Sequence, residues 1–224
     1  AGNPNSGKTS LYNWMAGARQ HVGNYPGVTV EKKSAHFQHE GQRIELVDLP
    51  GVYSLLAASP EEVIARDEIL AGDASVVIQV IDATNLERNL HLTAQLLEMG
   101  VPLVYALNMS DEAEANGLTF DLDLLADLLG GPVVPTNGIT GAGVQDLLTP
   151  ALERAADPTP AHGRVPYGYD IENAVRAVAQ GFEGDDAVSA RRRAIALLDG
   201  IPDPHAPPHA VSSAKRAMER LERR

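Results

Sequence analysis

The chain has 224 residues, enough for one domain of ordinary size and a smaller second one. It carries 18 basic and 30 acidic residues, a net charge of -12, and so lacks the broad basic face that nucleic-acid binding requires. The absence of cysteine excludes disulfides and thiolate metal sites, and no apolar run approaches the length that crosses a bilayer.

Residues 1–156 alternate strand-like apolar runs with helical patterns. Strands are predicted at Arg43–Leu49, Ser75–Ala83, Pro102–Asn108 and Pro132–Thr136. Helices are predicted at Lys8–Ala16, Pro60–Ala71, Glu87–Met99, Asp121–Leu129 and Val144–Ala156. This alternation predicts an α/β fold with a mostly parallel sheet and helices on both faces. Residues 31–39 and 43–49 are expected to form an antiparallel hairpin at its edge.

The composition changes at Asp157–Pro166, whose prolines and glycine indicate a linker. Three short helical patterns follow, at Asp170–Gln180, Ala187–Leu198 and Ala210–Arg224. The sequence therefore predicts two domains, a nucleotide-binding domain over 1–156 and a small helical domain over 157–224.

A phosphate-binding loop is predicted at residues 2–9, GNPNSGKT, which match the pattern G-x-x-x-x-G-K-[ST] completely. Lys8 would reach the β- and γ-phosphates, and the Thr9 hydroxyl is a hard oxygen ligand for Mg²⁺. The full predicted set of phosphate contacts is Asn3, Asn5, Ser6, Gly7, Lys8, Thr9 and Ser10. Such a loop normally follows a buried strand, so we expect that strand to precede Ala1 in a longer polypeptide. A glycine-rich turn that matches by chance is the alternative.

Two further segments favour a nucleoside triphosphate. Asp48-Leu49-Pro50-Gly51 follows a predicted strand, where the carboxylate could hold Mg²⁺ and the Gly51 N–H could approach the γ-phosphate. Residues 23–29 form a turn-rich loop in which Thr29 is the candidate second protein ligand of Mg²⁺. This loop would be released when the γ-phosphate is lost.

Guanine is the base that the next motif favours. Asn108-Met109-Ser110-Asp111 follows a predicted strand, and the Asp111 carboxylate could accept from both the N1–H and the amine of guanine. Asn108 would tie this segment to the phosphate loop. After the following strand, the backbone of residues 136–138 (Thr136, Asn137 and Gly138) could contact guanine O6.

With these motifs in order, the chain resembles the small GTPases of the translation-factor class, with a P-loop GTPase fold. More narrowly, it is similar to the N-terminal cytosolic domain of the bacterial ferrous iron transporter B (FeoB) family. The resemblance rests on GNPNSGKT at 2–9, VGNYPGVTVE at 22–31, DLPG with Tyr53-Ser54-Leu55, Ser59–Glu62 with Ala65–Asp67, and Asn108–Glu114. It is strong over 1–156 and looser beyond.

This resemblance implies slow GTP hydrolysis that involves Lys8, Thr29 and Gly51. It also implies that Asn5 helps to hold K⁺ beside the phosphates, where K⁺ would replace an arginine finger. Val52 stands where Ras-like enzymes carry a water-orienting glutamine, which also argues for slow turnover.

The same resemblance implies a place at the cytoplasmic face of the bacterial inner membrane, beside the transporter's own membrane domain. The helical domain would favour the GDP-bound state, and a homo-oligomer is left open. The role would be regulation of ferrous iron transport, and the fragment itself is expected to be soluble. The alternatives are a ribosome- or tRNA-associated GTPase, and a nucleotide switch with negligible turnover. No nucleic-acid partner is expected.

Overall fold

The computed structural model describes residues 1–17, 20–56, 59–71, 74–157, 165 and 167–221. In this part of the chain the strands are β1 (Gln20–Asn24), β2 (Glu31–His39), β3 (Gln42–Asp48), β4 (Val77–Asp82), β5 (Leu103–Asn108) and β6 (Val133–Thr136). The helices are α1 (Lys8–Ala16), α2 (Pro60–Leu70), α3 (Leu86–Glu98), α4 (Ser110–Ala115), α5 (Leu122–Leu129), α6 (Val144–Ala156), α7 (Tyr169–Ala179), α8 (Ala187–Leu198) and α9 (Pro208–Leu221).

The described residues divide into two units. The first comprises Ala1–Gln95 and Val101–Gly163, and the second comprises Leu96–Gly100 and Arg164–Arg224. Our division at residue 156 differs mainly in the last turn of α3, which groups with the helical unit. The predicted linker lies mostly outside the described residues. No helix in the described residues has both the length and the apolar character needed to cross a membrane.

The parallel sheet of the first unit runs in the order β4-β5-β6. Asn108 at the end of β5 is in register with Asp82 on one side and Thr136 on the other. Three strands therefore deliver their last residues to one edge, where loops can assemble a site. Every residue of β5 is buried, as the apolar run predicts for a strand covered on both faces.

The antiparallel sheet has three strands in the order β1-β2-β3, and it includes the predicted hairpin. The additional strand corrects our interpretation of 23–29 as loop, because Gly23 and Asn24 lie in β1 and pair with β2. Most of β1 is exposed, so it shows no alternation of apolar and polar residues that the sequence could reveal.

The N-terminal residues lie alongside β4. Gly2 forms a parallel bridge with Val80, and the Val80 N–H donates to the Ala1 carbonyl over 2.8 Å. On the other side, the Val52 N–H donates to the Gly2 carbonyl over 3.2 Å. The phosphate loop thus leaves the sheet between β4 and the segment that follows β3.

The helical unit has its own core, built from α7, α8 and α9. Val178 and Ala194 are fully buried there, with Phe182 packed beside them. Arg191 is also buried, and its guanidinium pairs with Glu98 at 3.0 Å and with Glu172 at 2.9 Å. Two carboxylates offset the cost of burying this cation.

Candidate functional site

Gly7 closes the phosphate loop and begins α1. Its φ of 86° is left-handed, and a Cβ at this position would overlap the side-chain nitrogen of Asn108. A side chain here would be strained and would also displace a buried amide. The Leu11 N–H donates to the Gly7 carbonyl over 3.0 Å, so the helix starts directly beneath the loop.

The first glycine of the loop is required for a different reason. Gly2 has a φ of 159°, at the limit of the positive range that residues with side chains rarely adopt, and space is the larger constraint. A Cβ on Gly2 would lie 2.8 Å from the Val80 carbonyl oxygen and 2.9 Å from Ser6 Oγ. The close approach of the loop to β4 therefore excludes a side chain.

Two asparagines of the loop differ in their exposure. Asn3 is buried, and its amide donates to the Arg88 carbonyl of α3 over 3.3 Å, so its side chain holds the shape of the loop. Asn5 is exposed and has a left-handed backbone with φ of 66°. Its side chain is therefore accessible to a ligand of the loop.

The charged groups of the loop meet the end of β3. Lys8 Nζ lies 2.6 Å from Asp48 Oδ1, and Thr9 Oγ1 donates to Asp48 Oδ2 over 3.4 Å. The structure thus brings together Lys8, Thr9 and Asp48, as predicted. A hydroxyl and a carboxylate in contact are hard oxygen donors of the kind that Mg²⁺ accepts from protein, so this pair fits a magnesium ion.

Thr29 is not brought to this pair. It is exposed in the loop between β1 and β2, and its hydroxyl makes no hydrogen bond to a described residue. The same loop is anchored by Tyr25, which is buried and whose N–H donates to the Val30 carbonyl over 2.9 Å. Burial, followed by the nearby carboxylates of Glu68 and Asp48, raises the pKa of the Tyr25 hydroxyl. The anchor therefore stays neutral.

The segment after Asp48 packs against the phosphate loop. A Cβ on Gly51 would lie 3.2 Å from Pro4 Cα, so this glycine allows a close approach. Val52 is buried, which places its side chain in the core rather than in solvent.

Gln95 holds residues 54 and 55, which follow Val52, and the sequence did not predict this role. Gln95 of α3 accepts from the Leu55 N–H over 2.7 Å and donates to Ser54 Oγ over 3.1 Å. Since Gln95 lies about 40 residues away in the chain, no local pattern indicates it.

Asn108 joins the phosphate loop to the predicted base-contacting loop. Its side-chain amide donates to the Ser6 carbonyl over 2.8 Å, and its oxygen accepts from the Gly138 N–H over 2.9 Å. The Thr136 hydroxyl donates to the same oxygen over 3.4 Å. Asn108 is 1 % exposed, so one buried side chain fixes the relative positions of two loops.

Asp111 lies beside this junction at the start of α4. Met109 adopts a left-handed backbone with φ of 61°, which turns the chain between β5 and the helix. Asn137 donates its amide to Asp111 Oδ2 over 2.7 Å, and its own oxygen accepts from the N–H groups of Ile139 and Thr140. The two loops therefore meet at the carboxylate that sequence analysis assigns to guanine.

A comparison against known families matches the part of the chain that carries these loops. The model of the N-terminal domain of ferrous iron transport protein B matches residues 1–151. The chain belongs to the FeoB family. The resemblance inferred from the sequence is thereby confirmed.

Curated relatives span more than this chain does. The FeoA/FeoB fusion protein of Porphyromonas gingivalis is 45 % identical over 206 residues, which cover 89 % of this chain and 24 % of that protein. The Fe(2+) transporter FeoB of Escherichia coli K12 is 43 % identical over 207 residues, which cover 89 % of this chain and 26 % of the transporter. The chain thus spans about a quarter of these FeoB proteins.

Solved FeoB domains share the fold of this chain. A GDP-bound variant of the S. thermophilus FeoB G-domain has a TM-score of 0.88 at 37 % identity, with 99 % of this chain and 87 % of that chain covered. The cytosolic domain of T. maritima FeoB in its GMPPNP form has a TM-score of 0.84 at 37 % identity, with 100 % and 94 % covered. The predicted P-loop GTPase fold is confirmed.

Proposed function

We propose that this domain binds GTP and GDP and hydrolyses GTP to GDP and phosphate. The observation that carries the proposal is the double contact of Asn108, which links the Ser6 carbonyl of the phosphate loop to the Gly138 N–H of the base loop. A single rigid junction then sets the distance between the base and the phosphates. The solved relatives in GDP and GMPPNP forms support the same reading.

Guanine selection rests on Asp111. Its carboxylate would accept from the N1–H and the amine of guanine while it keeps the Asn137 amide as a further donor at Oδ2. Adenine has no such pair of donors and would leave the carboxylate unpaired, which is strongly unfavourable. Backbone N–H groups of residues 136–138 would donate to guanine O6.

Phosphate charge would be met by the N–H groups of residues 5–10 at the start of α1 and by the Lys8 ammonium group. Lys8 would exchange its Asp48 partner for the β- and γ-phosphates. Thr9, Asp48 and Thr29 would hold Mg²⁺, with Thr29 drawn in from its exposed loop. Mg²⁺, when bound, offsets the negative charge that builds up on the phosphates.

Hydrolysis would be slow. Val52 is buried and has no group that could orient water, so the Gly51 N–H and Lys8 are left to stabilise the γ-phosphate. Asn5, exposed on a left-handed turn, would hold K⁺ beside the phosphates. K⁺ would supply the positive charge that an arginine finger supplies in other GTPases.

In the full-length protein, this domain would regulate ferrous iron transport from the cytoplasmic face of the bacterial inner membrane. Its partners would be guanine nucleotide and the transporter's own membrane domain. The helical domain predicted over 157–224 would favour the GDP-bound state, and a homo-oligomer is one arrangement in which it could act. The family match disfavours the ribosomal and tRNA alternatives, and no nucleic-acid partner is proposed.

A second candidate is a nucleotide switch with negligible turnover. The burial of Val52 and the exposed position of Thr29 favour it, because neither residue is placed for hydrolysis. In this case conformational change on GTP binding would be the output, and turnover would be incidental.

GTP hydrolysis in KCl and in NaCl at equal ionic strength separates these candidates, with Asn5→Ala as the comparison variant. Stimulation by K⁺ that Asn5→Ala removes supports a potassium-activated GTPase. Equal, slow rates in both salts contradict the K⁺ role and leave GTP hydrolysis in place. Tight GDP binding without single-turnover hydrolysis favours the switch, and no guanine-nucleotide binding would overturn both candidates.

A further inference from the structure

The only tryptophan of the chain, Trp14, lies on α1 and is 49 % exposed. Its indole Nε1–H donates to the Gly138 carbonyl over 3.1 Å. A Cβ on Gly141 would lie 2.7 Å from the two carbons at the fusion of the indole rings, so the ring face covers Gly141. Trp14 therefore contacts the predicted base loop at two points about three residues apart.

The peptide groups on both sides of Gly138 are fixed by these contacts. Its N–H donates inward to Asn108 Oδ1 over 2.9 Å, and its carbonyl accepts from Trp14 on the exposed side. Ser10, one turn before Trp14, also approaches the loop, since a Cβ on Gly138 would lie 3.1 Å from Ser10 Cβ. The loop is thus held between Asn108 and the outer face of α1.

A packing role alone accounts poorly for this arrangement. A tryptophan that mainly stabilises a core is largely buried, whereas the Trp14 side chain is half exposed. Its indole N–H donates to a carbonyl of the loop. The close seat of the ring also requires Gly141 to lack a side chain, at a left-handed φ of 78°. The contacts of Trp14 with Gly138 and Gly141 therefore hold the loop rather than fill a core.

We propose that Trp14 is a positioning residue that holds the 136–141 loop against guanine O6 and thereby slows the release of guanine nucleotide. The inference rests on the proposed function, because it assumes that this loop contacts the base. Removal of the indole would free the Gly138 carbonyl and loosen the loop backbone around it, while Asp111 and the phosphate loop stay in place.

The first test is stopped-flow release of N-methylanthraniloyl-GDP from Trp14→Ala and Trp14→Phe. We expect release to be about five- to tenfold faster for Trp14→Ala, which loses the hydrogen bond and the ring contact. Trp14→Phe keeps a ring over Gly141 and loses only the donor, so release should be about two- to fivefold faster.

Asn13→Ala is the matched control. It removes one exposed side-chain hydrogen bond from the same helix, the 2.9 Å bond to Gln20, without touching the loop. Its release rate should stay within about twofold of the unmodified chain. A change as large as that of Trp14→Ala would mean that α1 acts as a whole, which would overturn the specific role of Trp14.

A second readout separates positioning from general destabilisation. In 6-thioguanosine diphosphate, sulfur replaces O6 and accepts hydrogen bonds more weakly, while the N1–H and the amine remain. The unmodified chain should prefer GDP over this analogue, and the preference should shrink about threefold or more in Trp14→Ala. Equal weakening of both ligands would overturn the proposal. Absence of GDP binding by the unmodified chain would instead remove the proposed function itself.

Discussion

The base-facing and phosphate-facing sides of the site differ in how far the protein has assembled them. On the base side, Asn108 is buried and fully engaged, and Asp111 already accepts an amide from Asn137. On the phosphate side, Lys8 and Asp48 pair with each other, and Thr29 is exposed with no hydrogen bond from its hydroxyl to a described residue.

Under the proposed function, this difference would let one site both hold a guanine nucleotide and respond to its γ-phosphate. Groups that the fold has already ordered lose little entropy on binding, so the base side favours affinity for any guanine nucleotide. Groups that must change partners respond to what is bound, so the phosphate side can report the presence of the γ-phosphate. The base side would therefore provide affinity, and the phosphate side would provide the switch.

The largest effect is expected from Asp111→Asn, which replaces the carboxylate proposed to accept from guanine with an amide. Two hydrogen bonds to a charged acceptor would be lost, so GDP affinity should fall about 10²- to 10⁴-fold. Xanthosine diphosphate, which carries an oxygen where guanine has the amine, should bind this variant better than GDP does. Isothermal titration of both ligands checks the exchange, and equal loss of both would contradict the assigned role.

The next largest effect is expected from Asn108→Ala. The substitution leaves the Ser6 carbonyl and the Gly138 N–H without their partner, which should lower the free energy of unfolding by about 2–5 kcal/mol. Urea denaturation measures this loss. Thr136→Val is a suitable comparison, because it removes only the 3.4 Å bond to Asn108 and should cost about 1 kcal/mol or less. Similar losses in both variants would refute the junction role of Asn108.

Thr29→Ala tests the phosphate side alone. We expect GTP hydrolysis to slow about tenfold or more, because a magnesium ligand needed in the transition state is removed. GDP affinity should stay within about twofold, since the base side is untouched. Single-turnover hydrolysis and GDP titration measure the two quantities. A loss of GDP affinity equal to the loss of rate would erase the distinction between the two sides.

The smallest effect is expected from Asn137→Ala, which sharpens the comparison within the base side. Asn137 orients Asp111 through one hydrogen bond and stabilises its own turn through two more. Its loss should weaken GDP binding about two- to fivefold, a factor that competition titration resolves. Tighter binding in the variant would show instead that Asn137 competes with guanine for Asp111.

Local motifs made most of the fold and the core of the site predictable. Helix α2 begins at the predicted proline with Ser59 Oγ accepting from the Glu62 N–H over 3.2 Å, a cap that sequence alone indicates. The phosphate loop and the Asn108–Asp111 motif were likewise predictable as short sequence patterns, although the contacts of Asn108 with Ser6 and Gly138 join residues far apart in the chain.

Features that depend on distant partners were not predictable. Strand β1 exists because it pairs with β2, and its exposed residues give no periodic signal. Gln95 and Trp14 act on segments about 40 and about 124 residues away, so the chain around them reveals nothing of their contacts. The short helix α4 was not predicted, because its first residues belong to the segment that was interpreted as the guanine motif.

Hydrogen exchange of backbone amides tests the central distinction most directly, with GDP, with a non-hydrolysable GTP analogue plus Mg²⁺, and without nucleotide. The amides of Gly138 and Gly141, whose N–H groups donate within the protein, should be protected in all three conditions. The amides of Gly27 and Thr29 should gain protection only with the GTP analogue. Two results would contradict this distinction: protection at Gly138 and Gly141 that appears only on nucleotide binding, or protection at Gly27 and Thr29 that does not respond to the γ-phosphate.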